Sequence, residues 1–64
     1  MRQWLKGKRL AKGMTQAQVA EAAGIDERTC RNVEQGLQTP YLRTCMSISE
    51  ALGFHVREWI SHEA

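Results

Sequence analysis

The sequence predicts an all-α fold of five short helices, and three observations predict it. Gly13, Gly24, Gly36 and Gly53 cut the 64 residues into four segments and a tail. Within the pieces, apolar residues return at three- and four-residue intervals, the spacing of one helix face. Ahead of two segments stands a side chain able to accept a free backbone N–H, Thr15 and Asp26. Strand-like alternation is hard to find.

The first segment runs from about Arg2 to Lys12, with Trp4 and Leu5 as its apolar anchors and Gly7 inside it. The second, Gln16 to Ala23, opens on Thr15 with Gln18 three residues later, a capping-box pattern. Its narrow apolar face is Val19, Ala20 and Ala23. Asp26 is the natural N-cap of the third, where it and Glu27 face the positive end of the helix dipole. Cys30 and Val33 form the inner face, and Gly36 can take the left-handed conformation that ends the helix.

Pro40 is expected at or near the first turn of the fourth segment, where its missing N–H costs nothing. There Leu42, Cys45, Ile48 and Leu52 read as one buried stripe, closed by Gly53. A last helix, from about Val56 to Ser61, offers Val56, Trp59 and Ile60. His55 is expected to start it, and His62 to lie on a fraying end.

Composition bounds the function. The chain is long enough for one domain, 1–64, with one cluster of buried side chains. It is 42% hydrophobic and 25% charged, which fits a soluble globular protein. The net charge of +2 permits a nucleic-acid partner without demanding one. Arg2, Lys6, Lys8, Arg9 and Lys12 crowd the first twelve residues with no acid among them, either as a solvated face of helix 1 or as a basic patch. Cys30 and Cys45 form no disulfide framework, and no signal-like or membrane-length apolar run is present. The default is a reducing cytoplasm with both thiols free.

Enzymatic and metal chemistry find little support. The two cysteines occupy inward helical positions, where packing is the ordinary role. With His55 and His62 they show no zinc-ligand spacing, and no histidine sits in a nucleophilic arrangement. No cofactor is implied.

The closest spacing in the chain lies between segments two and three. Two short helices joined by a three- to four-residue turn containing Gly are the signature of a helix-turn-helix, here over about residues 15–36. From Trp4 to Ile60 the sequence resembles the Cro/C1-type (Xre) helix-turn-helix domain of prokaryotic and phage repressors. The residues that carry the resemblance are Arg9, Gly13-Met14-Thr15-Gln16, Val19-Ala20, Gly24-Ile25, Val33-Glu34, Gly36, Pro40 and Ala51-Leu52-Gly53.

The resemblance implies a compact, lambda-repressor-like five-helix bundle whose third helix lies in the major groove of double-stranded DNA. By position, Glu27, Arg28, Arg31 and Asn32 would face base edges. Thr15, Gln16, Thr39 and Arg43 would meet phosphates, and Arg9 and Glu34 match an internal salt bridge. The resemblance, in which the fifth helix packs on the bundle, allows Phe54, Trp59 and Ile60 all to be core. Three large apolar residues in seven nevertheless exceed what so small a core requires, and part of this surface is a candidate homodimer surface. Pairing on a palindromic operator would supply the affinity that one small domain lacks.

Three positions depart from the family pattern. Lys8 stands where an apolar residue is usual, and Leu37-Gln38-Thr39 replaces a loop that is often basic. Asp26-Glu27 opens helix 3 where Ser, Gln or Arg is commoner. We expect Asp26 to cap and Glu27 to discriminate, by accepting from cytosine N4. The reading is a cytoplasmic, sequence-specific transcriptional regulator, a repressor from a bacterium, phage or mobile element. The alternative is a protein-interaction module of the same fold that antagonises another regulator.

Overall fold

The computed structural model describes residues 1–63, and among them five helices and no strand. They are α1 (Gln3–Ala11), α2 (Gln16–Ala23), α3 (Glu27–Glu34), α4 (Leu42–Leu52) and α5 (Arg57–Glu63). Helix α2 packs against both α3 and α4, while α1 lies against α3. One cluster joins all five: Leu5, Val19, Ala20, Cys30, Val33, Cys45, Ile48, Leu52 and Trp59.

Local chemistry sets the ends of α2. The Thr15 hydroxyl accepts from the Gln18 N–H at 3.1 Å, and the Gln18 side chain accepts from the Thr15 N–H at 2.8 Å. Two of the N–H groups that helix geometry leaves unpaired are thereby satisfied. At the other end Gly24 adopts φ 71°, and Ile25 donates back to the Ala20 carbonyl at 2.9 Å. A side chain at Gly24 would be strained there, so the tightness of the turn into α3 rests on glycine.

The stripe on α4 keeps Cys45, Ile48 and Leu52 and its close at Gly53, but differs from its sequence expectation at Leu42 and Ser49. Leu42 is 70% exposed and leaves the core. Ser49 is buried instead: its hydroxyl donates to the Cys45 carbonyl at 2.7 Å and accepts from Trp59 Nε1 at 2.8 Å. A buried hydroxyl costs free energy only when unpaired, and this one is paired twice. Pro40 precedes the N-cap, Tyr41, and so lies outside the first turn.

The last helix starts one residue later and runs further than the expected Val56–Ser61. His55 Nδ1 accepts from the Arg57 N–H at 3.0 Å and so marks its beginning. His62 does not fray. Its ring stacks on Trp4 with centroids 4.5 Å apart and planes 7° from parallel. Trp4 also meets Trp59 and Phe54 edge-on, at 4.9 and 5.8 Å, and donates from Nε1 to Glu63 Oε2 at 2.8 Å. An aromatic strap therefore ties α1 to α5. Trp59, 6% exposed, belongs to the core and is not available as surface.

Candidate nucleic-acid interface

Only Gly24, Ile25 and Asp26 separate α2 from α3. Asp26 has extended backbone, and its Oδ1 accepts from the Arg28 N–H at 2.9 Å, so this carboxylate is engaged in capping. With about 100° of rotation per residue, Glu27, Arg31, Gln35 and Arg28 fall within one arc of roughly a quarter to a third of the helix circumference. All four are exposed. Asn32 lies at the margin of that arc and is half-buried. Cys30, Val33 and Glu34 face inward.

Gln35 was not among the sequence candidates. The signal was present, since 28, 31 and 35 repeat at helical spacing. Its position at the helix end hides it among cap residues.

Two arginines of the N-terminal region hold α3 from behind. Arg9 grips Glu34 with both arms, Nε to Oε2 at 2.9 Å and Nη2 to Oε1 at 2.8 Å, and its Nη1 donates to the Met14 carbonyl at 3.0 Å. Hydrogen bonding to Glu34 raises the Arg9 guanidinium above its ordinary pKa. Glu34 is 3% exposed. A charge buried that deeply is tolerable because its partner is fixed in a bidentate fork.

Arg2 attends to the C-terminal end of the same helix. Its Nη1 donates to the carbonyls of Val33 at 2.6 Å and Gln38 at 3.1 Å, and its Nε to Glu63 at 2.9 Å. A cation beside the last carbonyls of a helix also complements the helix dipole.

The N-terminal basic cluster is consequently only in part an open patch, with Lys6 and Lys12 forming no ion pair among the described residues. Arg2 pairs with Glu63, Lys8 with Glu58 at 2.6 Å, and Arg9 with Glu34. Lys8, the departure from the family pattern, also lies 5.0 Å from the Phe54 ring centre, its ammonium over the face. Lys8 lowers the pKa of Glu58 by hydrogen bonding and charge. Burial pushes the Glu63 carboxyl up, but hydrogen bonds from Trp4 and Arg2 and the Arg2 charge outweigh it, leaving it below its ordinary value.

The remaining candidates are distributed around this helix pair. Thr15 uses its oxygen as a cap acceptor and keeps a hydroxyl proton to give. Gln16 opens α2, where the first backbone N–H groups have no partner within the helix. Thr39 lies exposed in the loop after α3, and Arg43 exposed in the first turn of α4.

A groove of about 670 Å³ lies between the start of α4 and α5, floored by Cys45, Val56 and Trp59 and edged by Leu42, Arg57 and Ile60. None of its lining comes from α3. Ile60 is 69% exposed, whereas Phe54 is half-buried. Both cysteines are buried, and burial raises both thiols above their ordinary pKa. They are thiols rather than thiolates at neutral pH, as packing residues would be.

Two short helices at a glycine turn, the second clamped from behind and bare in front, define a helix-turn-helix. Residues 5–59 match the helix-turn-helix family model. The chain belongs to that family, and with it to the helix-turn-helix class of transcriptional regulators. It is similar to the uncharacterized HTH-type transcriptional regulator YqaF of Bacillus subtilis (strain 168), at 44% identity over 54 residues. The aligned part is 84% of this chain and 71% of that protein. No solved structure matches. No helix among the described residues is long and apolar enough to cross a membrane.

Proposed function

We propose that the chain is a sequence-specific, double-stranded-DNA-binding transcriptional repressor that lays α3 in the major groove. The observation that carries this reading is the contrast in how its basic residues are held. Arg2, Lys8 and Arg9 are bound to acids of other helices, whereas Arg28 is exposed on the outward arc of α3. Like Lys6, Lys12, Arg43 and Arg57, it forms no ion pair among the described residues, and it alone of these unpaired residues lies on α3. A guanidinium presented from a clamped helix can pair bidentately with guanine O6 and N7. Thr15, Gln16, Thr39 and Arg43 then serve as phosphate contacts that fix orientation. The name of the Bacillus relative, an HTH-type transcriptional regulator, supports the regulatory part of this reading.

The protein acts in the cytoplasm as a homodimer on a palindromic operator. The groove edged by Leu42 and Ile60 is the favoured dimer surface. It replaces the Phe54–Trp59–Ile60 grouping, because Trp59 is interior. The same groove favours the second reading, a module that docks on another regulator.

Selection of bound sequences from a random duplex library, followed by salt titration of the winner, tests the proposal. An enriched palindrome whose affinity falls steeply with salt is the expected result. No enrichment, with weak binding even at low salt, overturns it. Loss of partner capture on Ile60→Glu would then favour the second reading.

A further inference from the structure

We propose that Glu27 and Arg31 form a coupled reading pair, in which Glu27 restrains Arg31 until a cytosine and a guanine close together in the groove release both. This rests on the reading that α3 enters the major groove. Glu27 Oε2 lies 3.6 Å from Arg31 Nη2, one helical turn away, and the two side chains are 51% and 45% exposed. Asp26 is engaged in capping by the Arg28 N–H, so Glu27 is the carboxylate at this end of α3 whose sole recorded partner is the Arg31 side chain.

The charges at the outer end of α3 cancel, Asp26 and Glu27 against Arg28 and Arg31. Attraction to phosphates in general scales with net positive charge, so this end gains little from an arbitrary duplex. An exposed pair of this kind biases its own equilibrium only by roughly twofold. A guanine edge therefore competes easily for Arg31.

Departure of Arg31 leaves Glu27 alone in a groove walled by phosphates. That is tolerable only where a base donates to the carboxylate. Cytosine N4 does so with no acceptor beside it on its own base edge, whereas adenine presents its N7 acceptor beside N6 and repels a carboxylate. Four residues rise about 6 Å along a helix, against about 3.4 Å per base pair. The two contacts thus fall about two base steps apart, so the preferred half-site should hold a cytosine and a guanine at that separation.

The test titrates the wild type, Glu27→Gln, Arg31→Gln, the double variant and Glu27→Asp against three duplexes. These are the selected site, the site with its cytosine replaced, and a random sequence. Glu21→Gln, on the exposed side of α2, controls for simple loss of a negative charge. Glu27→Gln should bind the random duplex a few-fold tighter while its preference for the cytosine falls roughly tenfold. Glu27→Asp, which keeps the charge and shortens the reach, should lose that preference as well. The double variant should lose little more discrimination than the worse single one. Equal tightening on every duplex, as expected for Glu21→Gln, overturns the pair, and so does an unchanged preference in Glu27→Gln. A wild type that enriches no sequence overturns the DNA reading and the pair together. A wild type that enriches a site which Glu27→Gln reads identically overturns the pair alone.

Discussion

Arg9 and Arg28 carry the same guanidinium and face opposite fates. Arg9 is locked to Glu34 and the Met14 carbonyl behind α3, while Arg28 stands exposed at the front of the same helix. The first spends its hydrogen bonds inside the molecule and sets the position of α3. The second keeps its donors for something outside. A run of basic residues in a sequence therefore says little about nucleic acid until the acids that fold back onto it are known. Here Arg2, Lys8 and Arg9 find those acids on α3 and α5, while Lys6 and Lys12 do not.

That contrast breaks most visibly at the clamp. Glu34→Ala leaves Arg9 without its carboxylate partner in a largely buried setting, and should destabilise the fold by about 3–5 kcal/mol. For a domain this small that is a large part of the total stability. A denaturant melt followed by circular dichroism should show a much lower midpoint.

Gly7→Ala sharpens the comparison from the other direction. Gly7 lies exposed in α1, and a methyl group there would meet nothing within 4 Å. The substitution should stabilise by about 1 kcal/mol through helix propensity alone. It should raise the melting midpoint and leave DNA affinity unchanged, because it stiffens the clamping helix without touching α3.

The smallest effect is on pH. The folded pKa values of Glu58 and Glu63 are lowered, so both contribute stability above the ordinary carboxylate value of 4.5. That contribution is lost as pH falls below 4.5 through their folded values. The melting midpoint of the wild type should therefore drop more steeply below this pH than that of a Glu58→Gln, Glu63→Gln variant. Equal slopes would show that the α1–α5 ion pairs carry no pH-dependent stability.

Much of the fold is legible because its signals are local. The Thr15–Gln18 box, the Asp26 cap and the turn at Gly24 all act within a few residues, and α2 begins and ends where its sequence says. Elements fixed by distant partners are less legible. Leu42 fits the stripe by spacing, yet no neighbouring helix covers it and it is left 70% exposed. Ser49 reads as a surface residue until Trp59 arrives to donate to it. His62 reads as a loose end because its stacking partner, Trp4, lies near the other terminus.

The candidate site divides in the same way. The outward arc of α3 follows from helical spacing, so Glu27, Arg28 and Arg31 could be named in advance. That Glu27 leans on Arg31 could be anticipated only as an option of i, i+4 spacing. The role of Arg2 at the end of α3 could not be read at all, since it depends on carbonyls far along the chain.

The difference between the two basic groups is best tested by fluorescence anisotropy of Arg28→Ala and Lys8→Ala on the selected duplex, beside the wild type. Arg28→Ala should lose roughly ten- to a hundredfold in affinity with an unchanged melting midpoint, and Lys8→Ala should bind within about twofold of the wild type. Equal losses in the two variants, or wild-type binding by Arg28→Ala, would contradict the assignment of α3 as the reading helix.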